Sequence, residues 1–270
     1  MAPRVQRLDV ELVRRGLARS REQARELLLS GRIEVRGVIA RKAATGVEAG
    51  TPIRVVTIAD EPDYVSRGGR KLAGALAGFP ALAVAGRRCL DAGASTGGFT
   101  DVLLRAGAAE VVAVDVGYGQ LAWKLRTDPR VTVLDRTNVR ALRPELIGGP
   151  VALTVADLSF ISLALVLPAL TACTSTDLLP MVKPQFEVGQ AKLGKGGVVR
   201  SADDRAVAVL GVVRAAAALG WHPHGVAPSV LPGPSGNVEV FVWLRREPDA
   251  LTEEQLLAAI TRVPADPEVT

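Results

Sequence analysis

The stretch Arg88-Cys89-Leu90-Asp91-Ala92-Gly93-Ala94-Ser95-Thr96-Gly97-Gly98-Phe99-Thr100 reads as an apolar strand that runs into a glycine-rich turn and opens a helix, Phe99 to Ala106. Working outward from it, Val111–Asp115 is a second strand, and a helical stretch through Leu121, Trp123 and Leu125 follows. Val131–Leu134, Leu153–Ala156 and Leu178–Val182 are further strands, Arg205–Leu219 is an alanine-rich helix, and Val238–Leu244 is a late strand. Strands alternating with helices predict an α/β fold, a Rossmann-like open, mostly parallel sheet covered on both faces. Ligands of such sheets sit beyond the carboxyl ends of the strands, where Asp91, Asp115, Asp157 and Lys183 fall. Leu251–Arg262 is one amphipathic helix, and the chain from Pro264 reads as a frayed tail.

The turn carries the first chemical signal. Glycines let a backbone bend tightly and approach a ligand, and Asp115, at the end of the second strand, is placed to accept hydrogen bonds from ribose hydroxyls. Both features suit any adenosine-containing cofactor. Gly93, Gly97 and Gly98 give G-x-x-x-G-G, which is not the dinucleotide spacing G-x-G-x-x-G, and no G-x-x-x-x-G-K-[ST] occurs. A carboxylate at Asp91 would repel a pyrophosphate and favour a cation. S-adenosylmethionine, with a sulfonium and an ammonium, is such a ligand.

The 270 residues are 48% hydrophobic and 23% charged, which excludes intrinsic disorder. No apolar run is long enough for a membrane span, and no apolar signal core follows the basic start, so a cytoplasmic protein is expected. Cys89 and Cys173 form no disulfide framework or metal-ligand spacing and read as buried thiols. Residues 1–60 hold 12 Lys or Arg against 7 Asp or Glu, while residues 61–270 hold 21 of each. The whole net charge of +5 therefore belongs to one small segment, suited to a phosphate backbone.

That segment predicts two short helices and a few short strands: Leu8, Leu12, Val13 and Leu17 line the first helix up to Gly16. Ser20 and Gln23 cap the second, which Gly31 ends, and Ile33, Val35 and Ile53–Val56 are strand residues. Arg7-Leu-Asp-Val-Glu-Leu-Val, Gly16-Leu-Ala-Arg-Ser-Arg and Ser30-Gly-Arg-Ile-Glu-Val-Arg-Gly37 resemble an S4 RNA-binding module. The resemblance implies that Arg7, Arg14, Arg15, Arg19, Arg21 and Arg25 contain the RNA-facing set. Residues 1–60 would form this small α+β domain, 61–66 a linker, 67–250 the larger domain and 251–270 a C-terminal helix and tail.

Residues 65–245 resemble a class I S-adenosylmethionine-dependent methyltransferase, and more narrowly the FtsJ-like 2′-O-ribose methyltransferases. The likeness rests on the Asp91 turn, Asp157-Leu-Ser-Phe-Ile-Ser162, Val182-Lys-Pro-Gln-Phe-Glu187 and Gly233-Pro-Ser-Gly-Asn-Val-Glu239. It implies a catalytic tetrad of Lys71, Asp157, Lys183 and Glu239. It also implies cofactor contacts at Asp91, Gly93, Ala94, Ser95, Thr96, Gly97, Gly98, Phe99, Asp115, Asn138, Asp157 and Leu158. With the basic module in front, the chain is similar to the TlyA (haemolysin A) family over nearly its full length. The implied reaction is methylation of cytidine ribose 2′-oxygens in 16S and/or 23S ribosomal RNA. Pro62 and Tyr64 depart from the Arg and Trp that relatives commonly carry in the linker.

A ribose hydroxyl is a poor nucleophile and must lose its proton as it attacks. A lysine of lowered pKa would accept that proton. In this reading Lys183 is the acceptor, Lys71 a neighbouring cation that pushes its pKa down, and Asp157 and Glu239 orient the two lysines while their negative charge pushes it back up. Lys192, Lys195 and Arg200 around Gly194-Lys-Gly-Gly197 form a mobile basic loop suited to clamp RNA. His222 and His224 read as surface-loop residues. A monomer without metal, acting on RNA within ribosomal subunits, is expected. The competing classes are a non-catalytic ribosome-assembly factor and a membrane-active toxin. The intact tetrad opposes the first, and the low aromatic content opposes the second.

Overall fold

The computed structural model of the chain describes residues 5–18, 20–56, 63–233, 236–247 and 250–263, apart from the side chains of Glu22 and Glu26. It divides into two compact units, Met1–Arg67 and Gly68–Thr270.

The first unit runs β1 Val5–Arg7, α1 Leu8–Arg14, α2 Arg21–Leu29, β2 Ile33–Val35, β3 Val38–Ile39, β4 Gly46–Glu48 and β5 Ile53–Val55. β1 pairs with β4, and β2 lies between β3 and β5, all antiparallel. Ser20 Oγ accepts the Gln23 N–H at 3.1 Å and so caps α2. Gly31, at φ +69°, ends α2, and the Arg32 N–H folds back onto the Leu27 carbonyl. Leu8, Leu12, Ala24, Leu28, Ile33 and Val47 close the core, so each helix spends its apolar stripe on the small sheets.

The second unit runs α3 Gly68–Gly78, β6 Arg88–Ala92, α4 Gly98–Arg105, β7 Glu110–Val114, α5 Trp123–Arg126, β8 Val131–Leu134, β9 Val151–Ala156, α6 Leu167–Cys173, β10 Thr174–Val182, α7 Pro184–Glu187, α8 Ala202–Ala217, β11 His222–Pro228, β12 Val240–Arg245 and α9 Glu253–Thr261. Its seven strands lie in the order β8-β7-β6-β9-β10-β12-β11. β6 to β10 are mutually parallel, and β12 runs against both its neighbours. The order of the strands reverses between β6 and β9, and the crevice at such a switch point is where open α/β sheets hold ligands. Near-continuous apolar runs in β7, β9 and β10 match strands buried on both faces.

Two sequence expectations are corrected here. His222 and His224 stand on β11 rather than in a loop, with His222 opposite Arg245 and the His224 ring 5.9 Å from that of Trp243. Pro223, Gly225 and Pro228 hide this strand from a propensity reading, and an edge strand with a register shift tolerates them. The stretch through Leu121 and Leu125 is helical only over Trp123–Arg126. α9, capped by Thr252 and Gln255, lies within the expected amphipathic stretch Leu251–Arg262 and buries Leu256 and Ile260 in the main core.

Candidate active site

The glycine turn is built by its neighbours. The Gly93 and Ala94 N–H groups both donate to the Val114 carbonyl, at 2.9 and 3.0 Å, which hooks the end of β6 onto β7. One Asp115 oxygen accepts the Ser95 N–H at 2.8 Å, and the other accepts the Gly117 N–H at 2.7 Å. Asp115 is therefore the strut of the turn, with lone pairs left over for a ligand. Gly93, at φ +88°, has no room for a side chain: a Cβ would lie 2.5 Å from the Asp157 carbonyl at the end of β9. Gly97, at φ +96°, is also indispensable, but for packing. A Cβ there would strike Leu125 at 2.3 Å and Leu121 at 2.8 Å, so a bulkier residue strains the fold before it blocks a ligand.

Asp91 is fully buried in β6. Thr100 donates to its Oδ2 at 2.7 Å, and its Oδ1 has no partner. Burial first, then the charges of Asp157 and Asp115, push its carboxyl up to about 7. Three carboxylates thus converge on the crevice, and the partnerless oxygen calls for a donor or a cation.

The four tetrad residues form two ion pairs on adjoining strand ends. Lys183 Nζ lies 2.7 Å from Asp157 Oδ1 and donates to Ser159 Oγ at 2.8 Å. Lys71, on α3, is paired with Glu239 in a contact buried on both sides. Val182 on β10 pairs with Val240 on the reversed β12, so Lys183 and Glu239, one residue beyond, stand opposite each other at the same edge. Asp157 leaves β9 at that edge too, its N–H bound to the Ala92 carbonyl of β6. Lys71 is held by Glu239, the orienting contact that the sequence reading assigned to that carboxylate.

Two residues that sequence reasoning passed over complete the arrangement, although both stood inside quoted motifs. Ser159 is one. The other is Glu187, which accepts the Ser162 hydroxyl at 2.7 Å and the Leu163 N–H at 2.8 Å. With the Phe160 and Phe186 rings 5.4 Å apart, these contacts zip the segment after Asp157 to the segment after Lys183. Phe160 holds φ +64°, the kind of local strain that a surrounding network must fix. Glu187→Ala is expected to reduce kcat for methyl transfer by up to about 10²-fold through misplacement of Lys183. Glu187→Gln should retain most of it, because an amide can accept from Leu163 and donate to Ser162. Steady-state kinetics on both variants check this, and equal loss in both would contradict a purely positioning role.

Other expected site residues are distributed as follows. Ala94 is buried, and Ser95 holds φ +46° in the turn. Thr96 accepts the Ala122 N–H through its carbonyl, and Gly98 opens α4. Leu158 lies over Gly93. Phe99 is buried, with its ring 6.0 Å from that of Phe241, so its side chain is spent on the core. Asn138 caps a turn by accepting the Arg140 N–H at 3.0 Å. The glycine-rich basic loop is tied down on both sides of Val198: Asn237 donates to the Gly197 carbonyl and accepts the Val199 N–H. Lys192 of that loop is paired with Asp204. Both cysteines are free and buried, with the Cys89 thiol pushed up to about 12 by burial. Pro234 and Ser235 of the Gly233–Glu239 motif, and Pro62 of the linker, lie outside the described residues. Among the described residues, no group of His, Cys, Asp or Glu side chains is placed to hold a metal ion.

In the first unit, Arg7, Arg14, Arg21 and Arg25 keep about half of their side-chain surface exposed. Arg15 differs. Its guanidinium is bound to Glu11 and to the Thr51 and Ala49 carbonyls, which leaves it a structural tie between α1 and the turn after β4. Arg19 lies outside the described residues.

An open parallel sheet with one reversed strand, a glycine turn at its switch point and carboxylates facing a cation define a class I methyltransferase. The comparisons agree. The model of FtsJ-like methyltransferases matches residues 64–246, and that of the S4 domain matches residues 6–53. The chain is 62% identical to the 16S/23S rRNA (cytidine-2′-O)-methyltransferase TlyA of Mycobacterium tuberculosis, over 95% of this chain and 96% of that one. It is 34% identical to hemolysin A of Brachyspira hyodysenteriae, over 86% and 97% respectively. A solved hemolysin-type structure from Streptococcus thermophilus superposes with TM-score 0.75 at 35% identity, covering 97% of this chain and 96% of that one. The chain belongs to the FtsJ-like methyltransferase family, with an S4 domain in front.

The crevice fits the methyl donor of such enzymes. Asp91 Oδ1 lacks a partner, Asp115 retains acceptor capacity, and Gly93 leaves the backbone bare. The raised Asp91 carboxyl sets a sign. Without ligand the fold favours the protonated form, so its contribution to stability is present at low pH and lost as pH rises through about 7. Asp91→Asn is therefore expected to raise the melting temperature of the ligand-free protein at about pH 8 while weakening S-adenosylmethionine binding. Calorimetry with and without the donor checks both signs.

Proposed function

We propose that the chain transfers a methyl group from S-adenosylmethionine to the ribose 2′-hydroxyl of cytidine in ribosomal RNA of the small subunit, the large subunit or both. The supporting observation is Lys183 fixed between Asp157 and Ser159 at the strand ends beside the glycine turn. The donor, when bound, supplies an electrophilic methyl on a sulfonium. Asp91 and the turn hold the cationic end, and Asp115 accepts from its ribose. Lys183, in its neutral form, takes the proton of the attacking hydroxyl, and Asp157 stabilises the ammonium so formed across 2.7 Å. Glu239 holds the Lys71 ammonium in a buried pair at the same edge. The name of the Mycobacterium tuberculosis relative supports the substrate, and the S4 domain supports an RNA partner. No helix among the described residues is long and apolar enough to cross a membrane, and the ribosomal RNA substrate named for the relative supports a cytoplasmic place of action.

Tritiated-methyl transfer to purified ribosomal subunits tests this reading. Incorporation into a 2′-deoxy target would mean that a base atom accepts the methyl. No incorporation at all, with RNA binding intact, would favour a non-catalytic assembly factor. The S4 domain is assigned the RNA affinity. Removing residues 1–60 is expected to leave donor binding measurable while RNA binding weakens and its salt dependence becomes shallower. An unchanged salt slope would refute that division of labour.

A further inference from the structure

Asp9 is wholly buried at the start of α1, yet it carries more cations than its neutralisation requires. Its Oδ1 accepts Arg7 Nε at 3.0 Å and the Val10 N–H at 3.1 Å. Its Oδ2 accepts Arg21 Nη2 at 2.9 Å, Arg21 Nε at 3.2 Å and Arg7 Nη2 at 3.3 Å, and Arg25 Nε lies 3.8 Å away. One arginine comes from the end of β1, one from the first turn of α2, and one from the next turn of the same helix face. One bidentate arginine would neutralise a buried carboxylate. Here three converge, each with about half of its side chain in solvent. Glu11, also buried, binds Arg14 through both carboxylate oxygens at 2.6 Å.

We propose that Asp9 is a positioning residue for RNA: it gathers Arg7, Arg21 and Arg25 into one fan whose outer N–H edges grip backbone phosphates. This rests on the RNA-binding role given above to the S4 domain. Each guanidinium offers five donors, and Asp9 engages at most two nitrogens of each, leaving the others for a ligand. A free arginine must surrender its rotamer freedom on binding, whereas these surrender it on folding. Asp9 remains ionised throughout, because the guanidiniums of Arg7 and Arg21 hold its carboxyl down at about 2.

The proposal makes a forecast opposite to that of simple electrostatics. Asp9→Asn adds one unit of positive charge, and if only the field mattered, RNA would bind more tightly. If Asp9 organises the fan, an unmodified ribosomal RNA transcript should bind the full chain about tenfold more weakly. Arg21→Ala should then cost much less in the Asp9→Asn background than in the parent chain. Equal or tighter binding by Asp9→Asn, with the melting of the first unit unchanged, would overturn the proposal. Should Asp9→Asn unfold that unit, Arg21→Lys and Arg25→Lys decide, since they keep every charge but lose the fork. Weaker binding by both supports the fan, and parent-like binding overturns it. A chain with Arg7, Arg14, Arg21 and Arg25 all changed to Ala separates the two levels. If it loses RNA while Asp9→Asn does not, only the role of Asp9 fails. If it binds like the parent, the RNA-binding assignment itself fails.

Discussion

Lys183→Ala is expected to lower methyl transfer by roughly 10²–10⁴-fold, the scale on which a general base contributes. The same change should leave donor affinity nearly untouched and lower thermal stability only modestly. Donor affinity is preserved because, in the proposed arrangement, the cationic end lies against Asp91 and the turn, on the β6 side of the crevice. The stability cost is limited because, although Asp157 Oδ1 facing Lys183 is buried and would lose its cation, the Asp157 side chain as a whole is 23% exposed. Single-turnover transfer, calorimetric donor binding and a melting curve on one preparation give all three numbers. A fall in melting temperature with an unchanged rate per folded molecule would make Lys183 a strand terminator with no chemical duty.

The second ion pair of the tetrad should behave in the opposite way. Lys71→Ala removes the partner of Glu239, whose side chain is fully buried and whose Oε1 already lacks a hydrogen bond. Breaking a buried pair on one side leaves an uncompensated charge and costs about 3–5 kcal/mol. Lys71→Ala is therefore expected to lose both stability and transfer. The doubly substituted Lys71→Met, Glu239→Leu chain separates the two losses, since a buried pair replaced by apolar residues of similar volume is often neutral or stabilising. Its denaturation midpoint should recover while its transfer rate does not. Recovery of both would reduce Lys71 and Glu239 to structural residues, and the catalytic group would shrink to Asp157, Ser159 and Lys183.

These contrasting forecasts come from the burial of two carboxylates, which residue types alone do not reveal. Much else was legible in the chain. The apolar runs of β6, β7, β9 and β10 and the glycine turn at Gly93–Gly98 predicted the open parallel sheet and its ligand edge, because backbone bends and two-faced burial leave local signatures. Strand β11 was not legible, since its prolines obey the rules of an edge strand, and the edge exists only once the sheet is assembled. The glycines were recognisable as glycines, but only the fold distinguishes Gly93, pressed on the Asp157 carbonyl, from Gly97, pressed on two leucines.

The sequence by itself determined the sheet and the basic S4 domain, and it singled out the four residues proposed to carry the chemistry. Only the tertiary structure decided how those residues are paired: Lys183 with Asp157, Lys71 with Glu239, and the arginines of the first unit on Asp9 and Glu11. The reason is that strand periodicity and turn chemistry act over a few residues. An ion pair such as Lys71–Glu239 joins groups 168 positions apart, and its partner is chosen by strand register and burial.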